Sequence, residues 1–412
     1  MRILSGRAAA AKVRQLASRG LRLGKVEACV RRIIQDVRRN GDRAVRKYAE
    51  QLDGLPPRSQ VRIPEEQIEA AWKNAEPRFR ESLRAAERNV RQFATWQKPS
   101  EWQRTKDGLS VGQIVRPLDS VACYVPGGRY PLVSTVLMTV IPAQVAGVKR
   151  ICITSPQVRE EILAAAGCLG IVEVYALGGA HAIAALAYGT ETIKPVSKIV
   201  GPGNMYVTAA KKLVAHDCAI DFLAGPTEVA ILSDRGRPEF IAADLVAQAE
   251  HDPEAVAIFL TTDADLAASV GELADCFAES NPIARQALQQ NGVILVANSR
   301  PEAIAWANEL APEHITVDEA DLPLIRNAGS IFIGDYSPQA AGDYVSGPNH
   351  VLPTGGSARF RGGLSVLDFM KLITVQKISR AGLRKLAPAI ECLAQTEGLE
   401  AHAVSVQVRC HG

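Results

Sequence analysis

Residues 120–154 begin with Ser120-Val-Ala-Cys-Tyr-Val125, continue through the apolar stretch Leu137–Ala146 and end with Arg150-Ile-Cys-Ile-Thr154. The first and last runs have the length and composition of buried strands, and the stretch between them is long enough for a helix. This alternation favours parallel strands joined by helical crossovers. The stretch therefore predicts an α/β fold.

The same alternation continues over two blocks of about a hundred residues each. The first block runs to Lys198-Ile-Val200, and the second begins near Glu228 and ends at Ser330-Ile-Phe-Ile-Gly334. In the second block, a helix is predicted over Pro238–His251, because Pro is favoured at the first helical position and Pro253 ends the run. Two such blocks fit two doubly wound, Rossmann-like parallel-sheet domains.

Both ends of the chain differ from these blocks. Residues 1–100 show apolar positions at helical spacing, and we predict amphipathic helices over Val26–Gln51 and Pro64–Gln97. The last forty residues are predicted to be helical and then extended over Ala403–Val408. The chain is thus expected to carry a helical N-terminal region and a small C-terminal segment around the two sheets.

Composition and charge exclude several classes of function. With 47% hydrophobic and 22% charged residues, the 412-residue chain resembles a soluble globular enzyme. Its net charge is +3, but residues 1–100 hold 18 Arg and 5 Lys against 11 Asp and Glu. Because these arginines alternate with Glu on predicted helices and no nucleic-acid-binding motif accompanies them, solvated helix faces explain them better than nucleic acid does.

Two further observations concern the compartment. The apolar stretch Val136–Val148 is broken by Pro142 and Gln144, too short for a membrane span, and the N-terminus lacks the apolar core of a secretory signal. The eight cysteines show no Cys-x-x-Cys spacing, so buried reduced thiols are expected. We predict a cytoplasmic protein that contacts no membrane.

Four of the seven histidines lie in short polar clusters, which suggests a site assembled from distant segments. In the first cluster, Gln248 and His251 are three residues apart on one face of a predicted helix. They resemble half of a metal site, but a histidine that interacts with the helix dipole is an equal alternative.

The second cluster, Glu313-His314, follows Pro312 at a helix-to-strand connection. An adjacent acid and imidazole suit general acid and base work, although a solvated surface pair is the alternative.

The remaining clusters lie in the last quarter of the chain. The Gly- and Pro-rich loop Gly342–Gly356 carries Asp343 and His350, and its length and composition are typical of a functional segment. Glu397 and His402 belong to the small C-terminal segment. One Gln, one Asp and two His would form a plausible zinc sphere, but their spacing alone does not establish it.

A classical dinucleotide fingerprint is absent from the sequence. Gly201-Pro-Gly203 lacks the third glycine of Gly-x-Gly-x-x-Gly, and Pro126-Gly127-Gly128 is a similar short turn. Both turns follow predicted strands, where backbone amides could approach a phosphate. A plain turn is the alternative in each case.

Longer motifs extend over nearly the whole chain. In order they include Cys123-Tyr-Val-Pro-Gly-Gly128, Leu177-Gly-Gly-Ala-His181, Gly201-Pro-Gly-Asn204, Ala224-Gly-Pro-Thr-Glu-Val229, Gln248-Ala-Glu-His251, Ala311-Pro-Glu-His314, Asn349-His-Val-Leu-Pro-Thr354 and Glu397-Gly-Leu-Glu-Ala-His402. Together they resemble the histidinol dehydrogenase family. The resemblance implies a zinc- and NAD-dependent homodimer that oxidises L-histidinol to L-histidine through the aldehyde.

The resemblance also implies roles for individual residues. It makes His314 the acid/base for the alcohol and Glu313 the base that activates water. Zinc ligands would be Gln248, His251 and Asp343, with His402 from the partner subunit; all four would also surround the substrate. Further substrate contacts would be Thr227, His314, His350 and Glu397, with His350 and Glu397 again serving the partner's site.

The implied NAD contacts are Tyr124, His181 and Asn204, in two Rossmann-like domains that bind the nucleotide atypically. Here the chain departs from the family, which more often has glutamine where His181 stands. We assign residues 1–20 to an N-terminal segment, 21–122 with 229–356 to the first domain, 123–228 to the NAD-binding domain and 357–412 to a dimerisation segment.

Besides nucleic-acid binding through the Arg-rich first hundred residues, two other functions remain open on the sequence. A paralogue could oxidise another small alcohol, such as a sulfonated diol, although Glu313, His314, His350 and Glu397 favour histidinol. A zinc-binding dimer without catalytic activity is the second alternative.

Overall fold

The computed structural model describes residues 1–20, 23–127 and 130–411, with only the backbone of His411. The strands, in chain order, are β1 Arg2–Ser5, β2 Trp102–Lys106, β3 Leu109–Pro117, β4 Ser120–Tyr124, β5 Arg150–Thr154, β6 Val174–Tyr175, β7 Lys198–Val200, β8 Ala219–Ile220, β9 Glu228–Leu232, β10 Val256–Thr261, β11 Val293–Val296, β12 His314–Val317, β13 Ser330–Ile333 and β14 Met370–Ile378.

The helices surround these strands and connect them. In chain order they are α1 Gly6–Ala17, α2 Gly24–Tyr48, α3 Glu65–Asn74, α4 Pro77–Trp96, α5 Val133–Ala146, α6 Glu160–Cys168, α7 Gly179–Tyr188, α8 Met205–Val214, α9 Pro238–Ala249, α10 Ala264–Phe277, α11 Pro282–Asn291, α12 Arg300–Leu310, α13 Gln339–Tyr344, α14 Arg380–Thr396 and α15 Glu400–His411.

The first block forms a five-stranded sheet in the order β6-β5-β4-β7-β8, and every pairing is parallel. Residues Val121–Tyr124 of the central strand β4 are buried, as the apolar run Val-Ala-Cys-Tyr predicts. The chain moves outward from β4 to β5 and β6 and then crosses to β7. The strand order therefore reverses between β4 and β7, where ligands of doubly wound sheets bind outside the carboxyl ends.

The second block forms a sheet in the order β1-β11-β10-β9-β12-β13, again entirely parallel. Its five strands from β9 onward repeat the order of the first sheet. The prediction of an α/β fold with two Rossmann-like parallel sheets is confirmed.

The N-terminal region is not entirely helical, and the prediction of a purely helical region is wrong for its first residues. Strand β1 pairs with β11 over Arg2–Ser5 and Val293–Val296, and α1 packs against α12. A strand of four residues at a sheet edge has too little periodicity to be recognised from sequence. The first residues are thus an edge of the second sheet rather than a separate segment.

The helices of residues 24–96 cover the first sheet, not the second. Helix α2 packs on α7 and α8, α3 packs on α6, and α4 packs on α5. The buried apolar face of α2 shares one hydrophobic cluster with Leu177 and Ile183. The predicted grouping of residues 21–122 with 229–356 is therefore wrong for these helices.

Two local predictions also need correction. The predicted helix Pro64–Gln97 is broken at Ala75 and Glu76, because Pro77 begins a new helix and restricts the residue before it. Residues 403–408, predicted to be extended, belong to α15, which packs against α14. Alternation of Val with polar residues suggested a strand, but packing against α14 favours the helix.

A third, antiparallel sheet joins the C-terminal segment to the rest of the chain. Strand β14 pairs with β3 from Met370 opposite Pro117 to Ile378 opposite Leu109, and β3 also pairs with β2. Most of β14 is exposed. Among the described helices, none is long and apolar enough to cross a bilayer.

The cysteines partly follow the sequence prediction. All eight are free thiols; Cys123, Cys152, Cys168 and Cys218 are buried, whereas Cys276 and Cys392 are exposed.

A buried ion pair holds the turn after β7. Lys211 Nζ binds Asp221 and donates to the carbonyl of Gly201 at 2.9 Å, and Asp221 accepts the Gly201 amide at 2.7 Å. Gly201 has φ +112, and a Cβ there would lie 2.1 Å from the carbonyl oxygen of Tyr124. Only glycine fits this conformation and this close approach between the ends of β4 and β7.

Substitution G201A tests this constraint. We expect it to lower the free energy of unfolding by about 2–4 kcal/mol, because it adds both backbone strain and a clash with rigid backbone. Urea unfolding measures the change. The control is G362A, at an exposed glycine where an added Cβ would have no neighbouring atom within 4 Å; equal midpoints for the two variants would contradict the prediction.

Candidate active site

The predicted acid/base pair lies at the amino edge of the second sheet. Strands β9 and β12 are parallel neighbours, with Val229 opposite His314. Their first residues, Thr227-Glu228 and Glu313-His314, are therefore adjacent. Helix α9 follows β9 and runs back along the sheet, so that Gln248 near its end returns to the same edge. Segments that are distant in sequence meet there.

The Glu313 carboxyl group is buried and held by two donors. Its Oε2 accepts from the Thr227 hydroxyl at 2.6 Å and from the Glu228 amide at 2.8 Å. Burial raises the pKa of Glu313 well above its ordinary value, and the negative charges of Glu228 and Asp343 add to the rise, while the two hydrogen bonds oppose it. A carboxyl group with a raised pKa is a stronger base and accepts a proton near neutral pH.

Thr227 connects Glu313 to helix α9. The Gln248 amide nitrogen donates to the Thr227 oxygen, and the Thr227 hydroxyl donates onward to Glu313. Gln248 is buried, and Thr227 is half-buried. Because the Gln248 amide nitrogen is used in this way, its carbonyl oxygen is the atom left for another ligand.

His314 has one ring nitrogen fixed by the backbone. Nδ1 lies 3.2 Å from the Glu228 carbonyl oxygen, which can only accept, so Nδ1 carries the proton. Nε2 lies 3.7 Å from Asp343 Oδ1. Burial lowers the pKa of His314, Asp343 opposes this, and the nearby His350 and His251 lower it further. The ring is therefore suited to be neutral, with Nε2 free to accept a proton.

His314 and His350 border a cavity of about 410 Å³. The cavity is lined also by Phe332 and Leu352. Asp343 lies on the short helix α13, and the segment that follows returns His350 to the site; the buried Nε2 of His350 has no hydrogen-bond partner. An unpaired buried nitrogen beside a cavity is suited to a polar group of a ligand.

The proposed metal ligands are only partly brought together. Gln248 and His251 lie on one turn at the end of α9, and both His251 and Asp343 act electrostatically on His314. Amide oxygen, carboxylate and imidazole donors fit a borderline cation such as Zn²⁺. Within the ranges that the structure describes, no three His, Cys, Asp or Glu side chains form a complete metal site.

Two predicted site residues lie elsewhere on the protomer. Glu397 directly follows α14, His402 lies in the first turn of α15, and both side chains are exposed. Neither side chain contacts the residues around His314 in the hydrogen bonds and ion pairs of this protomer. Within one chain, the structure does not unite them with the other candidates.

The predicted cofactor residues lie at the carboxyl edge of the first sheet. Tyr124 ends β4, and its buried hydroxyl accepts from the Gly179 amide at 3.2 Å. Asn204 follows β7 and caps α8, because its side-chain oxygen accepts from the amides of Tyr206 and Val207. Both residues flank the point where the strand order reverses. Gly128 of the turn after β4 lies outside the described residues.

His181 is fully buried on the first turn of α7. Its Nε2 lies 2.9 Å from Asp53 Oδ2, which also accepts the Gly178 amide, and its Nδ1 has no partner. The partly exposed Gly179 lies over Nδ1, since a Cβ there would be 3.5 Å from it. His181 therefore lies beneath the partly exposed backbone at the start of α7.

Sequence reasoning missed Asp53 and Glu228. Asp53 follows α2 more than a hundred residues before His181, and Glu228 is a strand residue next to Thr227. No local pattern marks either residue, because their contacts arise only when distant segments meet.

Parallel sheets with a strand reversal are typical of nucleotide-binding enzymes, and the buried acid/base pair fits the proton transfers of a nucleotide-dependent oxidoreductase. The sequence matches the family profile described as Histidinol dehydrogenase over residues 17–410. It is 49% identical to the histidinol dehydrogenase of Methanothermobacter thermautotrophicus and 47% identical to that of Geobacillus kaustophilus, with 92% of each chain covered in both comparisons.

The fold agrees with this relationship. The crystal structure of histidinol dehydrogenase from Elizabethkingia anophelis superposes with a TM-score of 0.94 at 36% identity, covering 99% of this chain and 98% of that one. The chain belongs to the histidinol dehydrogenase family. The resemblance predicted from the sequence is confirmed, and with it the prediction of an NAD-dependent oxidoreductase that uses zinc; an enzyme for another alcohol is not favoured.

Substitution T227V tests the hydrogen-bond chain from Gln248 to Glu313. We expect a loss of about 1–3 kcal/mol in the free energy of unfolding, because the buried amide of Gln248 loses its acceptor and Glu313 loses a donor. The matched control T227S keeps the hydroxyl and should lose less. Equal unfolding midpoints for the two variants in urea would show that the hydroxyl does not carry this contact.

Proposed function

We propose that the protein oxidises L-histidinol to L-histidine through the aldehyde, with two molecules of NAD reduced per substrate. The observation that carries the proposal is the buried Glu313–His314 pair, whose free His314 Nε2 lies beside Asp343 and the cavity. Membership of the histidinol dehydrogenase family supplies the substrate class.

His314 serves the first oxidation. Because its Nδ1–H is donated to the Glu228 carbonyl, Nε2 is the atom that takes the proton of the substrate hydroxyl. Its lowered pKa keeps the ring neutral and ready to accept that proton. NAD, for which Tyr124 and Asn204 are the proposed contacts, would supply the acceptor for the carbon-bound hydride.

Glu313 serves the second oxidation. The aldehyde gains a hydroxyl group from water, and Glu313 removes a proton from that water as it attacks. The proton that His314 took in the first oxidation returns to the aldehyde oxygen, which gives a neutral hydrate that again carries a hydrogen on carbon. His314, now neutral, then takes the proton of a hydrate hydroxyl. The raised pKa of Glu313 makes it a competent base near neutral pH.

Gln248, His251 and Asp343 are the residues that would hold zinc, with His402 of a second subunit as the fourth ligand. Zinc, when bound, would orient the substrate's polar groups beside His314. Thr227 supports this arrangement. Because the Gln248 amide nitrogen donates to Thr227, the Gln248 carbonyl oxygen is directed away from Thr227 and is left for the metal ion. His350, with its unpaired Nε2, and Glu397 are proposed substrate contacts.

Tyr124 and Asn204 are the proposed NAD contacts at the carboxyl edge of the first sheet. His181 is proposed to act with them, although it is buried and would support the start of α7 from below. Segment 221–227 joins the carboxyl edge of that sheet to the amino edge of the second sheet.

A homodimer would complete the site. Exposed apolar side chains are concentrated in the C-terminal segment, and a soluble monomer seldom exposes so many apolar side chains in one region. They include Leu372, Ile373, Val375, Leu393, Val404 and Val408. This segment also carries the exposed Glu397 and His402, which suits a surface that reaches a neighbouring subunit. The proposed compartment is the cytoplasm.

Substitutions E313Q and H314N test the two roles separately. H314N should lower kcat for histidinol at least about 100-fold, because both oxidations lose their proton acceptor. E313Q should slow the oxidation of supplied histidinal more than the formation of histidinal from histidinol. NADH formation and product analysis measure both effects.

Zinc content is the control for these variants, and both are expected to retain it, since neither residue is a proposed ligand. Wild-type turnover of small diols but not of histidinol would contradict the proposed substrate. Wild-type kcat in both variants would contradict the assigned roles.

Coexpression of H251N and H402N chains tests the shared site. Each homodimer lacks a ligand in both sites and should be inactive. In a mixed dimer, one site receives both His251 and His402 and the other receives neither. Random pairing makes about half of the dimers mixed, so about one quarter of wild-type activity should be restored. No recovery in purified mixed dimers would contradict a ligand shared between subunits.

A further inference from the structure

Glu228 lies between the two residues that the proposed function assigns to proton transfer. Its amide donates to Glu313 at 2.8 Å, and its carbonyl oxygen accepts from His314 Nδ1 at 3.2 Å. One residue of backbone therefore orients the carboxyl group and fixes the tautomer of the imidazole. Any shift of this backbone moves both groups together.

The Glu228 side chain is anchored by Arg19. The carboxylate is buried and accepts two charge-assisted bonds from the guanidinium, from Nε at 2.5 Å and from Nη2 at 2.5 Å. The Gly355 amide adds a third donor at 3.0 Å. A bidentate pair of this kind restricts the carboxylate in both distance and orientation.

Arg19 also binds the chain that leads into Glu313. Its Nη2 donates to the Leu310 carbonyl at 3.2 Å, at the end of α12. The next residue, Ala311, has φ 45 and ψ 62, in the left-handed region that a residue with a Cβ seldom adopts. Arg19 thus connects the start of β9 to the strained turn before the acid/base pair.

We propose that the Arg19–Glu228 ion pair is a positioning device for Glu313 and His314, and that its role in catalysis is separate from its role in stability. Neither side chain is among the proposed substrate contacts. The pair acts through the Glu228 backbone and through the turn at Ala311. The expected change in kcat rests on the proposed function, whereas the geometry of His314 can be measured without turnover.

Substitutions E228Q and R19K test the device. E228Q keeps the size and the backbone of residue 228 but removes the charge that Arg19 binds, and R19K keeps the charge but loses the bidentate contact. At a temperature well below unfolding, we expect kcat for histidinol to fall about 10- to 100-fold, with KM changed less than about threefold. Zinc content should stay at the wild-type level.

The matched control is E173Q. Glu173 forms another partly buried bidentate pair, with Arg150, through bonds of 2.6 and 3.0 Å in the first sheet. This variant should lose a similar amount of thermal stability while keeping wild-type kcat. A stability loss in E228Q and R19K with kcat unchanged would overturn the proposal.

Nitrogen NMR of histidine-labelled protein provides the second measurement. In the wild type, His314 should show a protonated Nδ1, and E228Q or R19K should weaken that signature. An unchanged His314 signal in both variants would overturn the positioning role. If the wild-type protein does not oxidise histidinol, the proposed function fails, and the NMR comparison still decides the inference.

Discussion

Parallel pairing sets Val229 of β9 opposite His314 of β12, and most of the candidate active site follows from this register. The pairing places Thr227 and Glu228 next to Glu313, although more than 80 residues separate them along the chain. Because a helix that follows a strand in a parallel sheet must run back, α9 returns Gln248 to the same edge. A register shifted by one residue would turn Glu313 away from its two donors.

Burial then acts on the two titratable groups in a complementary way. It raises the pKa of Glu313 and lowers the pKa of His314, because burial disfavours the charged form of each group. The hydrogen bonds to Glu313 and the charge of Asp343 near His314 oppose these shifts, which keeps each group able to change its protonation state. An acid and a base with separately adjusted pKa values are what a two-step oxidation requires.

The proposed nucleotide contacts and the acid/base pair lie at opposite edges of the two parallel sheets. Tyr124 and Asn204 lie at the carboxyl edge of the first sheet, whereas Glu313 and His314 lie at the amino edge of the second. The short segment 221–227 connects these edges, and the buried Lys211–Asp221 pair holds its start. An arrangement of this kind gives a nucleotide and an acid/base pair separate supports, each built on rigid strands.

Strand and helix periodicity predicts the two parallel sheets from the chain alone, because this periodicity is local and needs no information about contacts between distant segments. The sequence also marked Gln248, Glu313 and His314, since polar clusters beside predicted strand and helix ends are visible in the chain. Three features become visible only in the folded chain: Arg2–Ser5 joins the second sheet, residues 24–96 cover the first, and Glu228 bridges the acid/base pair. These features depend on which distant apolar faces and backbone groups come into contact, and no local sequence pattern specifies such long-range contacts.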